Sequence, residues 1–265
     1  MDLHVKHYGG RDVGWSETSL DDFFASGDSA QPTMIYVHGN QISWNEAIQR
    51  AWNLRNSVLG CSHLEPIRLV IWSWPSEKVH GFVRDARVKA ARTNGEAHYF
   101  AWFLSQLDPA TPLSIVGYSF GARVATGALH LLGGGELGGQ TLPLVKSAPT
   151  RSVRVALIAA ALHRHWLRPG GCHEYALSLM DRLLIQYNSC DPVLQRYRFI
   201  EKRGRPSALG YSGVYIDEPL NTRIEQRDVC RIVGKSHAEF RYTRSATLMR
   251  EIRDAIFEEV EFSRE

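Results

Sequence analysis

The sequence has few cysteines, and they are far apart. Its four cysteines are Cys61, Cys172, Cys190 and Cys230, and no two of them form a C-x-x-C pair. This pattern indicates neither a zinc site nor a disulfide framework. We therefore expect free, mostly buried thiols.

The sequence also lacks long apolar runs and clusters of one charge. No stretch of about 18 apolar residues suggests a membrane span, and residues 1–8 lack the apolar core of a signal peptide. The net charge is only +3, and the basic residues are scattered among acidic ones. Such a balance does not single out nucleic acid or an anionic membrane as a partner. We expect a soluble cytoplasmic protein with no nucleic-acid partner and no membrane span.

What the chain does contain is typical of one globular domain over residues 1–265. It is 44% apolar and 22% charged, which suits one sizeable core. Apolar runs that read as strands alternate with helical patterns, which predicts a doubly wound, mostly parallel α/β sheet with helices on both faces and no separate cap domain. The main predicted strands are residues 33–38, 67–74, 113–117, 153–161, 182–187 and 229–233.

The most informative stretch is residues 114–129, where an apolar run meets a helical pattern at Ser119. Gly117, Ser119 and Gly121 fit G-x-S-x-G, the nucleophile elbow, in which a sharp strand-to-helix turn exposes the serine hydroxyl. Side chains at the two glycines would collide with the facing strand or helix, and the serine must adopt an unusual backbone angle. The sequence predicts that Ser119 is a nucleophile.

Two further residues complete a catalytic set. The ligand site of an open parallel sheet lies at the carboxyl ends of its strands, and Asp191 and His237 each follow a predicted strand. Their chain order of serine, acid and histidine is that of α/β-hydrolases. We predict that Asp191 orients His237 and that His237 takes the Ser119 proton. Asp217 and Asp228 are competing acids.

Residues 38–40 end the predicted strand before the first large helix, where an oxyanion-hole donor is expected. The backbone N–H groups of Asn40 and Phe120 are the predicted donors. His38 either supports this loop or lines the substrate pocket, for which Trp74, Tyr118 and Tyr211 are the other candidates. A lid would come from residues 77–94, 162–173 or 195–215. His163, His165 and His173 lie near one another in the chain but lack a convincing set of metal-ligating partners, so we expect no metal and no cofactor.

These motifs resemble those of α/β-hydrolases, and within them a bacterial subgroup of unknown function. The resemblance runs through residues 37–40, 74–76, 117–121, 188–194, 208–213 and 234–237. It implies the fold and a Ser/Asp/His hydrolase site, but no substrate. Tyr118 and Phe120 depart from the pattern, since many relatives have His and Met there, and this departure bears on the size of the substrate.

The sequence thus predicts a serine hydrolase that cleaves a small-molecule carboxylic ester or thioester through an acyl-enzyme. One alternative is a non-catalytic binding or scaffold protein that keeps the hydrolase fold. Another is an amidase or acyltransferase that uses the same triad. The natural substrate and the oligomeric state do not follow from the sequence.

Overall fold

The computed structural model of the protein describes residues 4–10, 14–26, 31–60, 67–78, 81–143, 153–200, 204–215 and 220–257. Cys61 and Asp217, both considered above, lie outside the described residues, as do 144–152 and 258–265.

The described strands and helices alternate for most of the chain. The strands are β1 (Val5–Tyr8), β2 (Trp15–Thr18), β3 (Thr33–Val37), β4 (Arg68–Trp72), β5 (Leu113–Tyr118), β6 (Glu136–Leu137), β7 (Gln140–Thr141), β8 (Val153–Ile158), β9 (Met180–Tyr187) and β10 (Ile224–Asp228). The α-helices are α1 (Leu20–Ala25), α2 (Trp44–Leu59), α3 (Phe82–Gln106), α4 (Phe120–Leu132), α5 (Leu209–Ser212), α6 (Cys230–Val233), α7 (Glu239–Thr243) and α8 (Ala246–Ile256). Short 3-10 helices occupy Glu174–Leu179, Leu194–Phe199 and Leu220–Arg223.

Six strands form the central sheet, in the order β10-β9-β8-β5-β3-β4, and every neighbouring pair is parallel. β3 and β5 are buried along their whole length, as expected for central strands covered on both faces. The predicted fold class, a doubly wound, mostly parallel α/β sheet, is confirmed. Because all six strands run the same way, their carboxyl ends share one edge of the sheet.

Local sequence signals account for several helix boundaries. The capping box of α2 is present, since Ser43 and Glu46 exchange hydrogen bonds at its start. Asn94 and Gly95 are a sequence signal for an interrupted helix, but α3 is continuous through them. α3 also packs closely on α4 at Gly127, which has no side chain. A Cβ at this position would lie only 2.9 Å from the Cβ of Ala97 on α3.

Two predicted elements differ from the structure. The predicted last strand at residues 229–233 is wrong, since 230–233 is the helix α6 and the strand is β10 just before it. β10 is an edge strand with mostly polar, exposed side chains, so it lacks the apolar signal of a central strand. The composition of the glycine-rich residues 133–139 predicts a flexible surface connection, but this segment begins the β6–β7 hairpin.

Among the described residues, no helix combines the length and the apolar character needed to cross a bilayer.

Candidate active site

Ser119 lies at the turn between β5 and α4, at the carboxyl edge of the sheet. Its backbone has φ 53° and ψ −118°, a positive φ that is uncommon for a residue with a side chain. A Cβ at Gly121 would lie 2.0 Å from the Val37 carbonyl oxygen, and one at Gly117 would lie 2.8 Å from the Cα of Ala122. The two glycines therefore permit the close approach of strand and helix that this turn requires.

A chain of hydrogen bonds links Ser119 to His237 and Asp191. The Ser119 hydroxyl donates to His237 Nε2 across 3.0 Å. His237 Nδ1 donates to Asp191 Oδ2 across 2.6 Å. An ionised carboxylate only accepts, so this network assigns the proton to Nδ1 and leaves Nε2 free to accept from the serine. The structure thus brings together three residues that are far apart in the chain. Ser119 and His237 are separated by 118 positions, and Asp191 and His237 by 46.

Asp191 is fully buried in the loop after β9. Its second oxygen, Oδ1, accepts hydrogen bonds from the amides of Val193 (2.8 Å) and Leu194 (3.0 Å). Both oxygens are therefore engaged and the carboxylate is held in one orientation. The competing acid Asp228 is the last residue of β10 and accepts hydrogen bonds from the amide and hydroxyl of Ser189 instead.

The loop that carries His237 is held on two sides. Asn188, three residues before Asp191, donates through Nδ2 to the carbonyl oxygens of Gly234 (2.9 Å) and Ser236 (3.0 Å). Tyr118 donates its hydroxyl proton to the carbonyl oxygen of His237 across 2.6 Å. These bonds fix the backbone around the imidazole.

Cys190 and Cys230 form a disulfide, with Cα atoms 5.3 Å apart. The prediction of free thiols is wrong for these two, and Cys172, which is not part of this disulfide, is exposed instead of buried. In the parallel pair β9–β10, Tyr187 is opposite Asp228, so the cysteines that follow these strands meet at the sheet edge. The sequence prediction missed the bond because it placed Cys230 inside a strand.

Asn40 and Phe120, the residues predicted to supply the oxyanion donors, both line the cavity described below. Phe120 is the first residue of α4, where backbone N–H groups are unpaired and the helix dipole is positive. Asn40 precedes Gln41, which also has a positive φ of 57°. The side-chain amides of Asn40 and Gln41 both donate to Asp85 Oδ2, across 2.7 and 3.0 Å. Asp85 is 1% exposed, and no sequence signal distinguished it from other acidic residues near the start of a helix.

His38 and Trp74 lie behind this loop. His38 is fully buried, donates from Nδ1 to the Gly39 carbonyl (2.9 Å) and accepts at Nε2 from the Trp74 amide (3.1 Å). The indole of Trp74 donates to the His38 carbonyl across 2.8 Å. Burial lowers the pKa of His38 to about 4, so the ring is neutral at pH 7. Both side chains support the loop.

A cavity of about 660 Å³ opens above Ser119 and His237. This volume is in the range of small-molecule sites. Of the four side chains predicted to line the pocket, only Tyr118 does so, because His38 and Trp74 are buried in the core and Tyr211 packs against it. One wall is mainly apolar and the other is polar and comes from α2. The apolar wall contains Val83, Ala86, Leu194, Phe199 and Ile200, and the polar wall contains Glu46, Gln49, Arg50 and Asn53.

A partly buried ion pair, with Glu239 as its buried member, lies beside the histidine loop. Glu239 is 3% exposed and accepts from the Tyr36 hydroxyl (2.8 Å) and from Arg50 Nη1 (3.1 Å). Burial raises the pKa of Glu239, and the bonds from Tyr36 and Arg50 oppose that rise. Sequence reasoning missed this pair. The sequence signal that could have found it is Tyr36, because a tyrosine hydroxyl inside a fully buried strand needs a hydrogen-bond partner.

Within the residues that the structure describes, no group of three His, Cys, Asp or Glu side chains could hold a metal ion. His173, from the cluster considered above, bonds to Thr126 through Nδ1.

The sequence matches no protein-family model and no curated protein sequence. In comparisons of structure, the chain is similar to a lipase-esterase related protein from Clostridium acetobutylicum, with 13% identity, a TM-score of 0.42, and coverage of 87% of this chain and 97% of that one. It is also similar to a thermostable carboxylesterase cloned from a metagenomic library, with 13% identity, a TM-score of 0.38, and coverage of 96% and 90%. Likeness at this level carries no inference about the activity of this chain.

Proposed function

We propose that this protein is a serine hydrolase that cleaves a carboxylic ester or thioester through an acyl-enzyme. The observation that carries the proposal is the hydrogen-bond chain from Asp191 through His237 to Ser119, which ends at the floor of the cavity. The family resemblance of the motifs agrees with it but names no substrate.

In the proposed mechanism, Ser119 Oγ attacks the substrate carbonyl carbon while His237 Nε2 takes the hydroxyl proton. The imidazolium is stabilised by Asp191, which its Nδ1–H already faces. His237 then returns the proton to the leaving alcohol or thiol, and the acyl group stays on Ser119. Water, activated by the same histidine, releases the acid and restores the serine.

The oxyanion that forms on the carbonyl oxygen needs donors that are already in place. The amides of Phe120 and Asn40 are suited to this role because both residues line the cavity beside Ser119. Among the described residues, neither amide hydrogen bonds to a protein acceptor. The side-chain bond of Asn40 to Asp85 holds the second donor in position.

A scaffold protein that merely keeps the fold has no need of a serine within 3.0 Å of an imidazole that is itself oriented by a buried carboxylate. This geometry supports a hydrolase over the scaffold alternative. The apolar wall supports an acyl group as the part of the substrate that enters the cavity.

A fluorophosphonate probe tests the proposal. We expect labelling of the wild-type protein at Ser119, confirmed by mass spectrometry of the modified peptide, and none in Ser119→Ala. Ser105→Ala, a half-buried position near the end of α3 and outside the cavity lining, is the matched control and should label as the wild type does. With p-nitrophenyl esters of graded acyl length, Ser119→Ala should lose roughly 10⁴-fold or more in kcat. Folded wild-type protein that neither labels nor hydrolyses any ester would overturn the proposal.

A further inference from the structure

The charges around the cavity mouth are strongly one-sided. Three segments, residues 83–87, 194–200 and 239–244, contribute side chains to the cavity wall. Every arginine in these segments is exposed, and we refer to them as the arginine rim. The arginine rim consists of Arg84, Arg87, Arg196, Arg198, Arg241 and Arg244.

The acidic residues of these segments do not offset the arginine rim at the surface. They are Asp85 and Glu239, which are 1% and 3% exposed. Asp85 accepts the side-chain bonds of Asn40, and Glu239 pairs with Arg50. Both carboxylates therefore act inside the protein, and the rim arginines keep their charge in solvent.

Contacts place the first part of the arginine rim beside the apolar wall. Arg196 itself lines the cavity. Arg87 donates to the carbonyl oxygens of Phe199 (3.0 Å) and Ile200 (3.3 Å), which also line it. The guanidinium of Arg198 lies 5.1 Å from the centre of the Phe199 ring, which is 44% exposed.

The second part surrounds Phe240, another cavity-lining residue that is 47% exposed. Arg241 and Arg244 both lie over its ring, at 5.2 and 5.1 Å. Contact with an aromatic face orients a guanidinium but does not neutralise it. The mouth therefore presents exposed aromatic rings flanked by exposed guanidinium groups.

The polar wall from α2 differs. There, Glu46 of α2 is exposed and lines the cavity, but its carboxylate accepts from the amide (2.9 Å) and hydroxyl (2.8 Å) of Ser43 in the capping box. The exposed arginines therefore lie on two sides of the mouth, with Arg87 and Arg198 beside the apolar wall and with Arg241 and Arg244 on the α7 segment, which is joined to α2 by the Glu239–Arg50 pair.

We infer that the substrate is an anionic amphiphile, whose acyl chain enters the apolar cavity and whose negatively charged group stays outside it at the arginine rim. This inference rests on the proposed hydrolase function. A low-dielectric cleft lined by one sign of charge focuses its field and raises the local concentration of oppositely charged substrates.

Three esters that share one acyl chain and a phenolic leaving group test the inference. The leaving group carries a distal carboxylate, its methyl ester or a trimethylammonium group, and each rate is divided by the rate of hydroxide-catalysed hydrolysis of the same ester. At low ionic strength we expect kcat/KM to fall in the order anionic, neutral, cationic, with at least about a 10-fold difference between the extremes. The difference should shrink to less than about 3-fold at 1 M salt, where the Debye length is about 3 Å.

Variants locate the effect. In the triple variant Arg196→Gln, Arg241→Gln, Arg244→Gln, the anionic ester should lose its advantage, and the corresponding triple change to lysine should keep it. Arg250→Gln, an exposed position on α8 outside the cavity, is the matched control and should keep the wild-type order. Thermal melting of every variant shows that a lost preference is not lost folding.

The outcomes separate the two proposals. Hydrolysis of all three esters without a charge order, or with an order that the triple glutamine variant retains, overturns the inference and leaves the hydrolase function standing. No hydrolysis and no fluorophosphonate labelling overturns both. A neutral long-chain ester cleaved faster in anionic than in zwitterionic vesicles, with no charge order among the soluble esters, would place the negative charge in a lipid surface and also overturn the inference.

Discussion

The disulfide between Cys190 and Cys230 joins the loop that carries Asp191 to the short helix that leads into the His237 loop. Cys190 is the residue immediately before Asp191, and the two cysteines are 40 positions apart. The bond thus ties together the two segments that present the proposed acid and base.

We expect loss of this disulfide to destabilise the fold. In the chain-entropy account, a cross-link over a loop of this length stabilises a protein by about 2–4 kcal/mol. Chemical denaturation of Cys190→Ser, Cys230→Ser should therefore show a free energy of unfolding lower by about that amount. Cys172→Ser changes an exposed cysteine outside this disulfide instead, and it should alter the free energy of unfolding by less than about 0.5 kcal/mol. Equal stability of the double variant and the wild type would contradict the prediction.

Asp85→Ala should impair the reaction through the loop that carries Asn40. Without the carboxylate, the side chains of Asn40 and Gln41 lose a shared acceptor, and the Asn40 amide is no longer held toward the oxyanion. We expect kcat to fall roughly 10- to 100-fold with a smaller change in KM, because the oxyanion exists only after attack. Steady-state kinetics with Asp181→Ala, an exposed aspartate on β9, provide the control. A rise in KM at constant kcat would assign Asp85 to substrate binding instead.

We expect the protonation of His38 to lower the free energy of unfolding at acidic pH. Its pKa is about 4 in the folded protein, lowered by burial from the ordinary value of 6.5. Because the pKa is lower in the folded state, the unfolded state binds the proton more tightly. The contribution of His38 to the free energy of unfolding is therefore complete above pH 6.5 and is lost as the pH falls toward 4. The shift corresponds to about 3 kcal/mol. The free energy of unfolding measured by urea titration at pH 7 and pH 4 should fall by about this much more in the wild type than in His38→Gln. Parallel pH profiles would show that His38 does not titrate differently in the two states.

Two glycines should respond oppositely to alanine. At Gly121 the new Cβ would lie 2.0 Å from a backbone carbonyl oxygen, which cannot move without shifting β3. We expect Gly121→Ala to cost about 3 kcal/mol or more. At Gly95, inside α3, a Cβ meets nothing within 4 Å. Gly95→Ala should stabilise the protein by about 0.5–1 kcal/mol, since alanine loses less backbone entropy in a helix. Thermal denaturation of both variants checks the pair, and a tolerated Gly121→Ala would contradict the tight elbow.

Elements with a clear pattern in their local sequence were predicted correctly. β3 and β5 are short apolar runs buried on both faces, and the capping residues Ser43 and Glu46 mark the start of α2. β10 was missed because an edge strand with exposed polar side chains has no such pattern. The error moved the predicted last strand by five residues, from 224–228 to 229–233, and hid the neighbouring disulfide.

The sequence by itself determined the candidate nucleophile and the chain order of its predicted partners. Ser119 could be identified because a glycine two residues to either side is a local requirement of a strand-to-helix turn. Asp191 and His237 could be named because parallel strands bring their carboxyl ends to one edge, whatever lies between them in the chain.

Only the tertiary structure decided what surrounds these residues. Asp85, Glu239 and the arginine rim come from segments far apart in the chain, and each looks like an ordinary surface charge in its local sequence. Folding buries the two acids with partners more than 40 and 180 residues away and leaves the arginines exposed around one cavity. Burial and electrostatic interactions depend on distances in space, which are set by strand register and helix packing. A protein with a net charge of only +3 can therefore still have a cluster of exposed arginines around its cavity.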